Sequence, residues 1–338
     1  MISHDMEFYN VEELADAPGG GLALRRIPSR VSETLNQGAA VHRSINTCGC
    51  EIRFNMEDEE VQLFLRRDVE TSSPFGIGEV YFGSFQAPYG ITPQMIGKDT
   101  TVITIRRKDV EASSLLQNSD DGLFDRKLVR VLLPYDSKTY FVDKQGQTSP
   151  PLPAQAPARR YLAYGSSITH GGDAVRPSGT YAMRLANMLN MDLINLGFAG
   201  SAQMEPSMAE YIAERKDWQI ATIEMGINVI GQWSAAKFKD RVDRFVDILA
   251  RDLGDRSLFV TDLYLCKYDL ENDPLISEYR AIVKNAVECA GQTRLHYIAG
   301  TELLASVEEL TADLIHPSAA GQEAIARRWD DFIRSQMS

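Results

Sequence analysis

Two short segments of the chain carry residue types that perform nucleophilic catalysis. Residues 165–169 place two serines directly after an apolar run, and residues 313–318 place Asp313 and His316 three positions apart. A serine at a strand-to-helix turn exposes its hydroxyl near helix N–H groups that favour negative charge, although a serine there is more often only a helix cap. Asp313 can orient the imidazole of His316 and stabilise the imidazolium that forms when the ring accepts a proton.

Two further segments offer groups that can stabilise an oxyanion. Residues 195–201 contain two glycines, and glycine lets a backbone N–H approach a ligand closely. Residues 224–228 end in Asn228, whose side-chain amide can donate a hydrogen bond to an oxyanion. Taken singly, the glycines are typical of a turn and the asparagine of an Asx turn. A nucleophile, oxyanion donors and an aspartate-oriented base in chain order together indicate acyl transfer through a serine ester.

The alternation of strand-like and helix-like segments after residue 160 explains how these groups can meet. Apolar runs predict strands, and amphipathic patterns predict helices. The predicted strands are 161–164, 192–195, 220–224, 258–263 and 295–298, and the predicted helices are 181–189, 235–251, 275–289 and 318–333. Repeated strand–helix units form a parallel sheet with helices on both faces, and ligands bind at the carboxyl ends of its strands. Three of the four candidate segments begin where a predicted strand ends.

The first half of the chain has a different pattern. Branched and aromatic residues at period two predict antiparallel strands at 51–54, 61–65, 79–85, 101–105, 128–133 and 138–142. Such strands, with little helical pattern between them, favour a β-sandwich of the jelly-roll type. Four prolines between residues 150 and 157 predict an extended linker. We therefore expect a β-sandwich domain at 1–147, a linker at 148–160 and an α/β domain at 161–338.

The four candidate segments resemble, in the same chain order, the four sequence blocks of the SGNH (GDSL-like) hydrolase family. The resemblance covers about residues 161–332 and implies a three-layer, flavodoxin-like α/β fold. It implies that Ser167 is the nucleophile, with His316 as the general base and Asp313 as the residue that orients the base. It also implies that the oxyanion is bound by the N–H groups of Ser167 and Gly200 and by the side chain of Asn228.

The chain departs from the family pattern at two positions. Ser166 stands where the family's Gly-Asp-Ser has aspartate, and Val229 stands where an aspartate often follows the asparagine. Neither position acts on the transition state, so the departures indicate a divergent branch. The whole chain also resembles two-domain SGNH proteins with a jelly-roll in front, an arrangement found among carbohydrate acetyl esterases and a few acyltransferases. His170, next to the nucleophile segment, is a candidate for lining the substrate pocket, although a rim residue without a chemical role is the commoner case.

Composition excludes several classes of function. The net charge of −12 disfavours nucleic acids and anionic membranes as partners. No zinc-like ligand spacing and no Gly-rich phosphate loop is present, so we expect no metal and no cofactor. The chain has four cysteines, too few for a disulfide scaffold, and free thiols in a reducing compartment are expected. Because the first residues lack a basic region followed by an apolar one, a cytoplasmic location is expected.

These observations predict a serine esterase that removes a short acyl group, acetyl above all, from a small-molecule ester whose alcohol is a carbohydrate or a similar polar molecule. The chain shows no long apolar lid, and the residues that follow Thr169 are short and polar. An acyltransferase would use the same residues with an alcohol in place of water. A non-catalytic carbohydrate-binding protein is disfavoured because Ser167, Asn228 and His316 are intact, and a nucleotide-binding protein is disfavoured because its phosphate loop is missing.

Overall fold

The computed structural model describes residues 1–68, 75–111 and 122–337. Antiparallel sheets occupy the first part of the chain, and a parallel sheet with flanking helices occupies the second. This confirms the expected fold class, an α/β domain preceded by an all-β domain. We refer to residues 1–149 as the N-terminal domain and to residues 160–337 as the C-terminal domain. Among the helices that the structure describes, none combines the length and hydropathy that crossing a bilayer requires.

The N-terminal domain consists of two antiparallel sheets. Its strands are β1 (Ile2–Ser3), β2 (Met6–Tyr9), β3 (Glu13–Asp16), β4 (Leu22–Arg25), β5 (Glu51–Met56), β6 (Glu60–Arg67), β7 (Gly76–Phe82), β8 (Phe85–Gln86), β9 (Gln94–Ile96), β10 (Thr101–Arg106), β11 (Val129–Leu132), β12 (Thr139–Gln145) and β13 (Thr148–Ser149). One sheet has the order β1-β2-β5-β11-β7-β8, with β13 beside β5 and β9 beside β7, and the other has the order β10-β6-β12-β4-β3. Short helical segments are α1 (Ser29–Ser32), a π-helical turn (Gly38–Arg43) and α2 (Arg107–Glu111).

The period-two pattern of the sequence is what forms the core between these sheets. On β6, Val61, Leu63 and Leu65 are fully buried while the residues between them are not. Their neighbours across the strand pair include Ile103 and Ile105 of β10, which are also fully buried. Each such side chain contributes about 1.5–3 kcal/mol on burial, so the inward faces hold the two sheets together.

The C-terminal domain has one five-stranded parallel sheet. Its strands are β14 (Arg160–Gly165), β15 (Asp192–Gly197), β16 (Ile220–Glu224), β17 (Ser257–Thr261) and β18 (Leu295–Ile298), in the order β15-β14-β16-β17-β18. The helices are α3 (Ser167–His170), α4 (Tyr181–Met188), α5 (Pro206–Glu214), α6 (Ala235–Ala250), α7 (Lys267–Leu270), α8 (Pro274–Ala290), α9 (Gly300–Leu303) and α10 (Ala319–Met337), with 3-10 turns at Pro177–Gly179 and Val307–Glu309. Strand β15 therefore lies at an edge of the sheet.

The proline-rich segment differs in detail from the expected linker. Its first residues, Thr148–Ser149, form β13 and pair with β5, so the sheet continues two residues past the expected end of the sandwich. The segment then makes a 3-10 turn at Pro153–Gln155, where proline occupies the first helical position that it favours. The segment between the two domains is thus shorter than the sequence suggested.

A buried group of charged side chains joins the two domains. Arg53 on β5 donates to both carboxylate oxygens of Asp192 on β15, at 2.6 and 2.7 Å, and to Glu51 at 2.8 Å. Arg130 on β11 donates to Glu51 at 2.6 and 2.8 Å. All four residues are at most 4% exposed, so these charges are stable in the interior only as a complete set.

Replacing Glu51 by glutamine is expected to lower the free energy of unfolding by about 3–5 kcal/mol, since the buried Arg130 loses its carboxylate partner and Arg53 loses one of its two buried carboxylate partners. Burial alone would raise the pKa of Glu51, but Arg130 and Arg53 lower it from 4.5 to about 2. The stability that this ionisation adds is therefore complete above about pH 4.5 and is lost as the pH falls toward 2. Urea unfolding of both proteins between pH 2 and 7 measures both effects.

The matched control for this experiment is Glu60→Gln. Glu60 pairs with Arg106 on the surface, where both side chains are about half exposed. Loss of such a pair changes stability by less than about 1 kcal/mol. Equal destabilisation by the two substitutions would show that the buried group contributes no more than a surface pair.

Candidate active site

The predicted nucleophile, Ser167, lies in the turn between the end of β14 and the start of α3. Ser166 is the N-cap of α3, and its Oγ accepts a hydrogen bond from the N–H of Ile168 at 3.1 Å. Its side chain is therefore engaged in holding the helix end. The Oγ of Ser167, the next residue, lies 2.7 Å from Nε2 of His316. Of the two adjacent serines, only Ser167 contacts the imidazole.

Glu224, at the end of β16, holds this turn through hydrogen bonds, a role that the sequence did not suggest. Its Oε2 accepts hydrogen bonds from the N–H of Ser166 and from Oγ1 of Thr169, each at 2.9 Å. The hydroxyl of Thr169 also lies 2.8 Å from that of Tyr181 on α4. Burial raises the pKa of the Glu224 carboxyl, and the donors from Ser166 and Thr169 oppose that rise. The available signal in the sequence was an acid, Glu224, at the end of the otherwise uncharged predicted strand 220–224.

The predicted base, His316, lies in the turn before α10. Oδ1 of Asp313 accepts hydrogen bonds from the backbone N–H groups of Ile315 at 2.8 Å and His316 at 2.9 Å, which closes an Asx turn. Leu314 within this turn has φ of +57°. The turn brings Oδ2 of Asp313 to 2.5 Å from Nδ1 of His316. One carboxylate therefore fixes both the loop and the ring.

These contacts indicate which nitrogen of the imidazole faces which partner. Nδ1 of His316 donates to the carboxylate of Asp313, so Nε2 is the nitrogen that accepts from Ser167. Partial burial would raise the pKa of Asp313, but hydrogen bonds from the side chain and N–H of His316 hold it well below its usual value. The carboxylate of Asp313 thus stays ionised between about pH 5 and 8.

A second carboxylate lies on the other side of the imidazole. Oδ2 of Asp173 is 3.6 Å from Nδ1 of His316, beyond hydrogen-bond distance. Donor atoms of Asp173, Asp313 and His316 all lie within 4.8 Å of one another. Two members of this cluster, Asp313 and His316, are the hydrogen-bonded pair described above.

The predicted oxyanion donors converge on the same cleft. Gly200 has φ of +65°, and its N–H makes no hydrogen bond to any residue that the structure describes. Oδ1 of Asn228 accepts from the N–H of Ala202 at 3.0 Å, which identifies the oxygen and leaves Nδ2 directed away from that loop. Ser167, Gly200 and Asn228 all line the cleft that contains His316. The structure therefore brings together the predicted nucleophile, base and donors.

His170 lies beside the nucleophile segment and against the N-terminal domain. It adjoins the cleft but is only 2% exposed. Its Nδ1 lies 2.9 Å from the carbonyl oxygen of Gly197, and its Nε2 lies 3.4 Å from Nδ2 of Asn46. Burial lowers the pKa of His170 to about 3, so the ring is neutral. Both ring nitrogens thus have partners within the protein, and a contact of His170 with substrate at the edge of the cleft stays a prediction.

Both domains contribute to the cleft, which has a volume of about 670 Å³. Its floor is formed by the residues just described. Its walls are mainly apolar and aromatic, with three charged side chains among them: Arg43, Phe75, Ile77, Tyr135 and Asp136 from the N-terminal domain, and Asp173, Val175, Ile227, Tyr268 and Ile315 from the C-terminal domain. A substrate bound at Ser167 therefore touches both domains.

At the carboxyl end of β14, Ser167 contacts a histidine that is itself hydrogen-bonded to an aspartate, and this arrangement defines a serine hydrolase. The model of the GDSL-like Lipase/Acylhydrolase family matches residues 158–334, more than half of the chain. The chain belongs to this family, and it is an SGNH-type ester hydrolase. No curated protein matches the chain in sequence.

Solved structures show the same two-domain fold over nearly the whole chain. A salicylyl-acyltransferase from a tetracycline biosynthetic pathway is 18% identical, with a TM-score of 0.77 over 98% of this chain and 95% of the other. A family two carbohydrate esterase from Clostridium thermocellum, solved with cellohexaose, is 13% identical, with a TM-score of 0.62 over 98% and 99%. An acetyl xylan esterase from Butyrivibrio proteoclasticus is 14% identical, with a TM-score of 0.56 over 99% and 97%.

Proposed function

We propose that the enzyme cleaves its ester through a covalent acyl-serine at Ser167. Nε2 of His316 removes the hydroxyl proton of Ser167 while Oγ forms a bond to the ester carbonyl carbon. The tetrahedral intermediate then breaks its bond to the alcohol oxygen, which takes the proton from His316. Water repeats the same steps and releases the acid. The supporting observation is the unbroken line of hydrogen bonds from Ser167 to His316 to Asp313.

Negative charge forms on the carbonyl oxygen in both tetrahedral intermediates. In this proposal the N–H groups of Ser167 and Gly200 and Nδ2 of Asn228 bind that oxygen. Loss of one such donor typically costs about 3–4 kcal/mol of transition-state stabilisation. Binding the oxyanion with groups that need not reorganise is therefore the largest contribution of this site after the nucleophile itself.

For the substrate, we propose a short acyl group, acetyl above all, on a polar alcohol such as a carbohydrate. Arg43, Asp136 and Asp173 lie among the apolar wall residues of the cleft. A fatty chain would desolvate these charges without giving them partners, which is costly, whereas hydroxyl groups can hydrogen-bond to them. Aromatic walls at Tyr135 and Tyr268 suit the apolar faces of a sugar ring. Carbohydrate and acetyl xylan esterases with this fold are consistent with this class of substrate.

A series of aryl esters from acetyl to octanoyl tests the acyl group directly. With one leaving group throughout, kcat/KM is expected to be highest for acetyl or propionyl and to fall steadily toward octanoyl. A pocket that buried each added methylene would instead raise kcat/KM about fourfold per carbon, since burial of one CH₂ contributes about 0.8 kcal/mol. Such a rise would exclude the short-acyl proposal. Acetylated sugars, assayed alongside an aryl acetate, test the alcohol.

An acyltransferase is the second candidate function. The likeness of fold to a salicylyl-acyltransferase favours it, as do the aromatic walls of the cleft, which suit an aromatic acyl group or acceptor as well as a sugar. The same acyl-serine would then be attacked by an alcohol. Product analysis with added alcohols separates the two functions, because a transferase yields mainly the new ester and a hydrolase mainly the free acid.

A further inference from the structure

Side chains of the N-terminal domain cover the outer edge of β15. Arg26 is fully buried and donates from Nη1 to the carbonyl oxygen of Asn195 at 2.9 Å and from Nη2 to that of Gly197 at 3.0 Å. The N–H groups of Asp192 and Phe198 donate to carbonyl oxygens on the β14 side, at Arg159 and Gly165. The even-numbered residues of β15 therefore face β14, and the carbonyl groups of the odd-numbered residues point to the open edge. Arg26 therefore takes the place of a neighbouring strand.

The same pattern continues beyond the strand, into the loop that carries Gly200. Nε of Arg43 donates to the carbonyl oxygen of Ala199 at 3.0 Å, and Nδ2 of Asn36 donates to that of Ser201 at 2.8 Å. Four alternate carbonyl groups, at residues 195, 197, 199 and 201, thus accept hydrogen bonds from N-terminal side chains. The loop is held from outside its own domain.

The carbonyl of Ala199 and the N–H of Gly200 belong to one peptide group. A trans peptide is planar, so its C=O and N–H point in opposite directions and turn together. Fixing the oxygen of Ala199 toward Arg43 therefore fixes the N–H of Gly200 away from Arg43. A charged donor on the oxygen also polarises the peptide and strengthens its N–H as a donor.

Besides Arg43, a hydrogen bond from the N–H of Ser201 to the carbonyl oxygen of Phe198, at 2.9 Å, closes the turn, but it does not involve the Ala199–Gly200 peptide group itself. Gly200 has a positive φ that a glycine adopts without strain, and a Cβ built on it would meet no atom within 4 Å. Side-chain packing therefore does not hold the Cα of Gly200, the residue that would donate to the oxyanion. Rotation of the Ala199–Gly200 peptide would exchange its N–H for a carbonyl oxygen, which repels an oxyanion.

We infer that Arg43 is a positioning residue, through which the N-terminal domain holds the Gly200 N–H in the oxyanion hole. Arg43 itself is well anchored, since its carbonyl oxygen accepts from Nη2 of Arg26 at 2.5 Å. This inference rests on the proposed function, because Gly200 matters only if an oxyanion forms there. It gives the N-terminal domain a part in the chemical step in addition to its part in forming the cleft wall.

The test measures kcat and KM for an aryl acetate with Arg43→Met and Arg43→Lys. Arg43→Met keeps most of the side chain but removes its donors, and kcat is expected to fall about 10- to 100-fold, somewhat less than when an oxyanion donor is deleted outright. KM is expected to change by less than about threefold, because an ester carbonyl in the ground state needs this donor less. Arg43→Lys restores a charged donor and should recover part of kcat.

A trifluoromethyl ketone provides a second readout, because its adduct with the serine carries an oxyanion. Its affinity should fall in Arg43→Met by the same factor as kcat/KM, whereas a merely structural role would leave the two unrelated. Arg30→Met is the matched control, since Arg30 lies in the same domain but forms an exposed pair with Glu214. It should leave both quantities unchanged.

Three outcomes decide between the inference and the proposal beneath it. If kcat is unchanged in Arg43→Met, or if KM alone rises, Arg43 does not position the oxyanion hole and the inference is wrong. If Arg43→Met does not fold, the kcat and ketone affinity of Arg43→Lys decide, with a severalfold loss of both expected. Labelling of wild-type Ser167 by a fluorophosphonate is independent of Arg43, so failure of that labelling would overturn the proposed function instead.

Discussion

Ser167→Ala is expected to lower kcat for an aryl acetate by several orders of magnitude, up to about 10⁶-fold, in a protein that remains folded. The substitution removes the atom that bonds to the acyl group, and His316 is left without a proton to accept. Only the oxyanion donors and substrate binding would still accelerate attack by water. Steady-state kinetics at saturating ester, with circular dichroism to confirm folding, measures the effect.

Ser166→Ala is the control that the adjacent serine provides. Its Oγ caps α3 through the N–H of Ile168, so its loss should cost about 0.5–2 kcal/mol of stability. Its effect on kcat should be far smaller than that of Ser167→Ala, since it does not contact His316. The opposite ranking of the two variants would mean that Ser166 is the nucleophile.

Asp313→Asn is expected to lower kcat/KM by about 10²- to 10⁴-fold. An amide cannot stabilise the imidazolium as a carboxylate does, and it allows the wrong ring nitrogen to carry the proton. Asp173→Asn is the matched control, because Oδ2 of Asp173 lies 3.6 Å from Nδ1 of His316 against 2.5 Å for Asp313. If the two variants lose equal activity, then Asp313 has no special part in orienting the base.

The pH profile of the wild type completes this test. The pKa of Asp313 lies well below its usual value, held there by hydrogen bonds from His316 despite partial burial. The carboxylate therefore does not titrate between about pH 5 and 8, and activity lost through protonation of Asp313 should appear only below this range.

Local patterns were sufficient to predict most of the sheet and its helices. Period-two burial on β6 and the apolar runs of β14 to β18 are properties of neighbouring residues, so a single sequence contains them. Helix α5 (Pro206–Glu214) was not predicted, although a proline at its first position and buried residues three and four apart gave a usable signal. Strands of two to four residues before Glu51 were not predicted because such short segments show too little alternation.

Contacts between the domains could not be read from the sequence. Arg26 meets the carbonyl of Asn195, which lies 169 positions later in the chain, and no local pattern marks that pairing. Arg43 is likewise an ordinary basic residue until the fold brings it to Ala199. His170 lies at the cleft, as its position next to the nucleophile segment suggested, but its burial against Gly197 depends on tertiary packing that no local pattern shows. Residues that carry chemistry had local motifs, whereas residues that position them did not.

The covered edge of β15 also bears on how the chain can be divided. An uncovered edge strand presents unpaired N–H and C=O groups that can pair with another molecule, which is a common origin of aggregation. In this protein, Arg26 satisfies the exposed carbonyls and Arg53 neutralises Asp192 at the start of the strand. The first domain therefore covers an edge that would be open to pairing with another copy if the second domain were produced alone.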